Sequence, residues 1–439
     1  MFILMLLLFL IFDVLTFLIF DSDLTAPPFL FCLSYTFSIL CAFVNYTYWG
    51  LYNYSFLSFF IFTIGAIEFI IIAFIVKNFV GSPDYIYKKT DYNISSEERK
   101  YINLDVPFTI CLFIFNIVIL FFWIRNVRMI AGGGNFSQMM EAYRLKTQYS
   151  LDTDVRMPGY LTQASKVVIA SGYIYTFAII ENMLNKTLNK KDTILVILIV
   201  GTYIVMSLFD SNRLNLLQLL GAAVIYYLVL DNKINYKKVG SIALRLVLLF
   251  AILLFIFYEI RLLIGRSNTG NDTLVEYITK YAGGSIKLFD LFVTDSVKHI
   301  SPVWGFQTFS SLIKTFRGFI PSIPDAISNQ EFRIFNGISL GNVYSAYRGW
   351  YEDFGLRGDL ILQGIYSLFY SVFYYELKRH GFSMHKFATI IYGYMATSIL
   401  LHPISDFLFS MFLSIGFCIY LVIFYLLYIL VIKKRSMKI

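Results

Sequence analysis

Between Gly341 and Gly358 the chain reads GNVYSAYRGWYEDFGLRG, which sets Arg348, Glu352, Asp353 and Arg357 among Tyr344, Tyr347, Trp350 and Tyr351 just before a long apolar run. Charges crowded against a membrane boundary are costly to desolvate, so residues placed like this pair with one another or hold a ligand. The stretch reads as the edge of a substrate site.

The elements that must position these residues follow from composition. The chain has 439 residues, 58% hydrophobic, 19% aromatic and only 15% charged, with a mean hydropathy of +0.68. A soluble protein of this length could not hide so much apolar surface, whereas many membrane spans can. The expected fold is all-α and polytopic, with about 11 transmembrane helices and a large external loop capping a cavity. The apolar runs are Met1–Phe20, Pro28–Thr47, Phe56–Val76, Pro107–Ile124, Lys166–Ile180, Ile194–Phe209, Leu214–Leu230, Ser241–Ile260, Phe354–Glu376, Lys386–His402 and Phe407–Ile432. The first lacks a basic start and a small-residue cleavage site, and is expected to be a retained span and not a removed signal. Cys32, Cys41, Cys111 and Cys418 all lie in apolar runs without metal-ligand spacing and read as buried small hydrophobes.

Lysine and arginine in short loops set orientation. The segments KKRSMK, KRHGFSMHK, DNKINYKK and NKTLNKKD are all basic and fall on one face, as does Lys77–Val106. That face is the inside, which places the N-terminus outside. The chain then divides into membrane helices over 1–260 with an external segment at 125–165, a large external loop over 261–353, and membrane helices over 354–439. The two external segments carry cations that topology does not explain, among them Arg128, Arg144, Arg156, Arg261, Arg266, Arg333 and Arg348. Binding something anionic would explain them, and the net charge of +8 fits membrane topology plus such a ligand, with no long basic run to suggest nucleic acid. Within the large loop Phe306, Phe309, Leu312, Ile313 and Phe316 recur at helical spacing, predicting an amphipathic helix on the surface or over a cavity, ended by PSIPD at Pro321–Asp325. No internal repeat is visible, which counts against transporter folds built from repeated halves.

The loop layout, with YAGGSIKLFD at Tyr281–Asp290, WGFQTF at Trp304–Phe309 and NVYSAYRGWYEDFGLRG at Asn342–Gly358, resembles the Wzy-type oligosaccharide repeat-unit polymerases, also called O-antigen or capsule polymerases. Similarity of layout extends over most of the chain; likeness of residues is confined largely to Arg261–Gly358. The resemblance implies a membrane glycosyltransferase of GT-C-like character in a bacterial inner membrane, acting at the external, periplasmic face. Its substrate would be an undecaprenyl-diphosphate-linked oligosaccharide, whose growing glycan moves to the sugar end of another lipid-linked unit in polysaccharide or lipopolysaccharide biosynthesis. Neither a cofactor, a nucleotide sugar nor an obligatory metal is implied. Membrane lipid, a chain-length regulator and a flippase are the implied partners.

On that resemblance, a leaving diphosphate needs cations, and arginine supplies a charged fork that does not deprotonate. Arg261, Arg266, Arg348 and Arg357 bracket the large loop, with Arg128, Arg144 and Arg156 as helpers; the alternative is pairing with Glu259, Glu352, Asp353 and Asp359. Glu352, Asp353 and His299 are the candidates for a base at the acceptor hydroxyl, with His402 a weaker one. Tyr281, Asn342, Tyr344, Tyr347, Trp350 and Tyr351 are the candidate glycan contacts, although tyrosine and tryptophan also gather at membrane interfaces without a ligand.

Three patterns carry less. The acid-x-acid DTD at Asp152–Asp154 and DSD at Asp21–Asp23 lack a metal-site context, and GGG at Gly132–Gly134 reads as a turn. Asp13, Glu68 and Arg245 lie inside apolar runs and read as structural. Two other activities fit the same composition: a ligase that moves finished glycan to a different acceptor, and a flippase or transporter for the same lipid.

Overall fold

The computed structural model describes every residue except 81–99, 150–155, 211–212, 232–235, 264–271, 297–300, 321, 325–328, 434–435 and 439. In chain order the described helices are α1 (Phe2–Ile19), α2 (Pro27–Phe43), α3 (Phe56–Val80), α4 (Val106–Ala131), α5 (Phe136–Tyr149), α6 (Gly159–Leu184), α7 (Lys190–Phe209), α8 (Arg213–Leu230), α9 (Tyr236–Leu263), α10 (Leu274–Val293), α11 (Ser310–Arg317), α12 (Tyr347–His380), α13 (Lys386–Leu401) and α14 (Ile415–Tyr428). Among the described residues, eight helical segments are long and apolar enough to cross a membrane: α1, α3, α4, α6 to α9, and α14 together with the π-helical turn Ile429–Lys433 that extends it. The chain is an all-α polytopic membrane protein; of the eleven expected spans, those at Pro28–Thr47 and Lys386–His402 fall on the shorter apolar helices α2 and α13, and that at Phe354–Glu376 on α12, which is not among the eight.

Four short strands complete the described elements: β1 (Lys100–Ile102), β2 (Arg333–Phe335), β3 (Ile338–Gly341) and β4 (Ser436–Lys438). Strand β1 pairs antiparallel with β4, and β2 with β3. The second pair is a hairpin whose turn is Asn336–Gly337, both at positive φ (49° and 76°). An Asn-Gly pair suits a two-residue turn because both residues reach that region at little cost.

The chain forms two compact units, each assembled from separated segments: Met1–Lys89, Asp272–Gly381 and Met395–Phe417 in the first, and Thr90–Asn271, Phe382–Tyr394 and Cys418–Ile439 in the second. This differs from a division in sequence order, because helices far apart in the chain pack together.

In the second unit, α4, α6 and α7 share a buried polar core, where Asn116 Nδ2 donates to Ser171 Oγ at 3.1 Å and Thr109 bonds the Tyr175 hydroxyl at 2.8 Å. Lys386 pairs with Glu181 at 2.6 Å, both nearly buried. In the first unit, Lys77 pairs with Asp21 at 2.7 Å and Lys378 with Asp23 at 2.5 Å. The ends of α3 and α12 and the turn after α1 therefore meet at one end of that unit. Charge distribution assigns these same three segments to one side of the membrane.

Two features of the first unit depart from the expected layout. Within the segment 261–353, α10 is a 20-residue helix, opened by a capping box in which Thr273 and Glu276 bond each other's backbone N–H. Most of its residues from Tyr277 onward are buried. It packs on α2 so closely that a Cβ at Gly283 would stand 2.4 Å from the backbone nitrogen of Ala42. The predicted amphipathic helix shortens to α11, with Trp304–Phe309 in turns ahead of it.

The second departure is inside α12. Gly355 has φ 64° and ψ −164°, a region essentially open only to glycine. The helix is broken there into a short arm, Tyr347–Phe354, and a long arm that continues to His380. The apolar run expected to begin at Phe354 is the long arm, and the charged stretch before it is a separate helix.

Candidate functional site

The short arm is held on several sides within the first unit. Ala346 N–H donates to the His402 carbonyl at 3.0 Å. Trp350 Nε1 donates to Asp406 Oδ2 at 3.0 Å, and the Tyr347 hydroxyl donates to Gln363 Oε1 of the long arm at 3.0 Å. Tyr347 and Trp350 are buried and pack against His402, with ring centroids 5.1 and 5.3 Å from the imidazole. These two aromatics are core residues and present no ring face outward in this conformation.

On the arm's other side lies a chain of alternating charges. Arg348, 3% exposed, donates from Nη1 to Glu352 Oε2 at 2.7 Å and from Nη2 to Glu331 Oε2 at 2.5 Å. The first contact is the i,i+4 pairing that one helical turn permits. Glu331 Oε1 accepts from Arg333 Nη2 at 2.9 Å and from the Tyr344 hydroxyl at 2.9 Å, and Arg333 reaches on to Asp295 at 2.5 Å. The Arg348 guanidinium stacks over Phe292 at 4.4 Å and Tyr344 at 4.7 Å. Burial works to raise the Glu331 carboxyl, but the Arg348 charge and the bonds from Arg333 and Tyr344 outweigh it and hold the group below its ordinary range.

The two acids of the arm have different work. Asp353 accepts the backbone N–H of Gln307 at 3.1 Å and of Thr308 at 2.7 Å, and also the Ser301 hydroxyl, so it fastens the WGFQTF turn to the arm. Glu352 accepts from Arg348 and from Gln307 Nε2 at 3.1 Å. Of the pair, Glu352 has no backbone N–H among its described partners. The third base candidate, His299, lies outside the described residues. His402 is buried, with Nδ1 2.8 Å from the Tyr35 hydroxyl.

The candidate arginines are divided between the units. Arg348 and Arg357 belong to the first; Arg128, Arg144, Arg156 and Arg261 belong to the second; Arg266 lies outside the described residues. Arg357 is exposed and has no partner among the described residues. Arg128 and Arg156 are exposed, and Arg144 is half-buried. Arg261 is buried, bonds the Tyr258 hydroxyl at 2.7 Å and lies over that ring. Of the aromatic and amide candidates, Tyr344 is buried in the charge chain, whereas Tyr281, Asn342 and Tyr351 are partly exposed. Tyr281 packs against Tyr277 with ring centroids 4.7 Å apart and the planes tilted by 45°. The DTD motif also lies outside the described residues, and Gly132 ends α4 in the left-handed region, as a turn glycine does.

Sequence reasoning passed over Glu331, which links the two arginines, and Asp295, which pairs with Arg333. The Asn336–Gly337 turn was the available signal: a hairpin there folds Arg333 back beside Gly341, carrying Glu331 toward Tyr344 and Arg348. Also missed was a buried pair on α10, Lys287 with Asp290 at 3.0 Å, where Asp290 additionally accepts the Ser55 N–H.

With two arginines against Asp295, Glu331 and Glu352, the network carries its own counter-charge. An anion approaching Arg348 must displace a carboxylate, whereas one approaching Arg357 meets an open guanidinium. Comparison of the chain with protein-family models, curated proteins and solved structures finds no match.

Proposed function

We propose that the protein polymerises undecaprenyl-diphosphate-linked oligosaccharide repeat units at the external face of a bacterial inner membrane. The observation that carries this reading is the break at Gly355, which sets a short charged helix within a membrane bundle and leaves Arg357 open immediately after it. Irregular backbone is tolerated at membrane depth where it is buried in protein or lines a polar path, and broken helices recur at binding sites for this reason.

The chemistry asked of the site is one substitution. The acceptor hydroxyl oxygen attacks the anomeric carbon of the donor, the bond from that carbon to the phosphate oxygen breaks, and the diphosphate leaves with the bonding electrons. Arg357 is placed to meet the developing negative charge, since a guanidinium forms charge-assisted bonds to phosphate. Glu352 takes the hydroxyl proton, and Arg348 and Gln307 hold that carboxylate in position. Tyr351, Asn342 and Tyr281 remain available for the glycan, being the partly exposed members of the candidate set.

Vesicles containing the protein, supplied with labelled lipid-linked repeat units, test the reading. Wild-type protein yields a ladder of longer glycans, and Arg357→Ala lowers the rate by about tenfold or more, the scale of one charge-assisted bond to phosphate. A ligase moves glycan to a different acceptor without lengthening it, and a transporter moves labelled lipid across the bilayer without a longer product. Either result, or a ladder unaffected by Arg357→Ala, overturns the assignment made here.

A further inference from the structure

Helix α11 carries an apolar stripe that outruns the protein beneath it. Phe309, Ile313, Phe316 and Ile320 recur at three- and four-residue intervals, so they lie along one helix face. At its start the stripe is seated: Ile313 is buried, and the Phe309 ring meets Phe354 at 6.3 Å and Phe409 at 6.1 Å. At its end the stripe stands clear, with Phe316 52% exposed and Ile320 48%. The helical turn continues past Arg317, since the N–H groups of Phe319 and Ile320 both donate to the Phe316 carbonyl, at 2.9 and 2.8 Å. That turn sets Phe319, 80% exposed, beside the other two. Large apolar side chains gathered in the open on one turn mark an interaction surface.

We propose that Phe316, Phe319 and Ile320 insert into the interface of a leaflet containing anionic lipid, anchoring the segment around α11 to the membrane. This anchor is independent of the glycosyl-transfer reading. Three observations select lipid as the occupant. The first is level: Phe354, on which Phe309 rests, opens the apolar run of the long arm, so α11 starts where hydrocarbon begins. At helical rise, Ile320 is then within about 17 Å of that height. The second is charge. Residues 296–324 include no acid, and Lys314 and Arg317 flank the stripe, where their heads can reach lipid phosphates. The third is size. Three side chains on one turn fall far short of the roughly 20 residues a side that a stable protein interface uses, whereas a bilayer takes up apolar side chains singly.

The test is photo-crosslinking with benzoylphenylalanine replacing Phe319, in vesicles of phosphatidylglycerol and phosphatidylcholine with one or the other lipid radiolabelled. Ser339 of β3, exposed and polar, is the aqueous control; Leu244, 62% exposed on the membrane-crossing helix α9, is the lipid control. Irradiation should give lipid adducts at Phe319 on the scale of Leu244 and about tenfold above Ser339. Phosphatidylglycerol should be favoured about fivefold over phosphatidylcholine, the scale of one cation beside an anionic surface. Lys314→Gln with Arg317→Gln should remove that preference and keep the adduct. Adducts at Phe319 no stronger than at Ser339, cross-linking to a second copy of the chain in place of lipid, or equal labelling by the two lipids overturns the anchor. Adducts at Leu244 in the same preparation establish that the protein is inserted, so a negative result at Phe319 counts against the proposal.

Discussion

Arg348 shows what a buried cation costs and how the chain meets that cost. Removing it leaves Glu352 without its cation and Glu331 with Arg333 alone, and breaking a buried ion pair from one side typically costs about 3–5 kcal/mol. Arg348→Ala is therefore expected to lower the thermal midpoint of the detergent-solubilised protein markedly. Arg348→Lys should lose less, since it keeps the charge without the fork. Unchanged melting in both variants would show that the network does not hold the arm. Glu331 makes a second prediction, in pH. Its carboxyl is held below its ordinary value of about 4.3, so its contribution is complete above that value and disappears as pH falls through the lower folded value. Melting curves should show a loss of stability below about pH 4 that is diminished in Glu331→Gln.

At the scale of the element, the decisive feature is one residue's backbone. Gly355 occupies a region where a Cβ is strained, and Gly355→Ala is expected to cost about 1–3 kcal/mol. The loss should appear both as a lower melting temperature and as weaker glycan synthesis, because the short arm would be pulled toward a continuous helix with the long one. If Gly355→Ala melted and worked like wild type, the break would be incidental. The contact of α10 with α2 belongs to this scale as well. Small residues let helix backbones approach within a membrane protein, where packing in place of the hydrophobic effect drives association.

At the scale of the whole molecule, the lysine and arginine distribution assigns the sides. A cysteine placed at Trp304, which is exposed, should react with an impermeant maleimide in intact cells, whereas one placed at Lys186 should react only after permeabilisation. Labelling with the opposite pattern would invert the orientation and remove the external site.

The membrane class, the helical content and the position of every apolar run were legible in the chain, because a bilayer demands about 20 apolar residues per crossing and that demand is local. That Arg348, Glu352 and Asp353 would be engaged in polar pairing was legible for a similar reason: charges beside a span are conspicuous. Their roles were not, since Asp353 as a turn fastener and Glu352 as an ion-pair partner depend on Gln307, Thr308 and Glu331, residues brought close only by folding. Composition also concealed α10, whose Lys287 and Asp290 look soluble until they are seen to neutralise each other in the interior. Hydropathy records what one segment would do alone in lipid. Which charges are cancelled, which helix is broken and which cation stays open are properties of neighbours distant in sequence, and those only the tertiary structure decided.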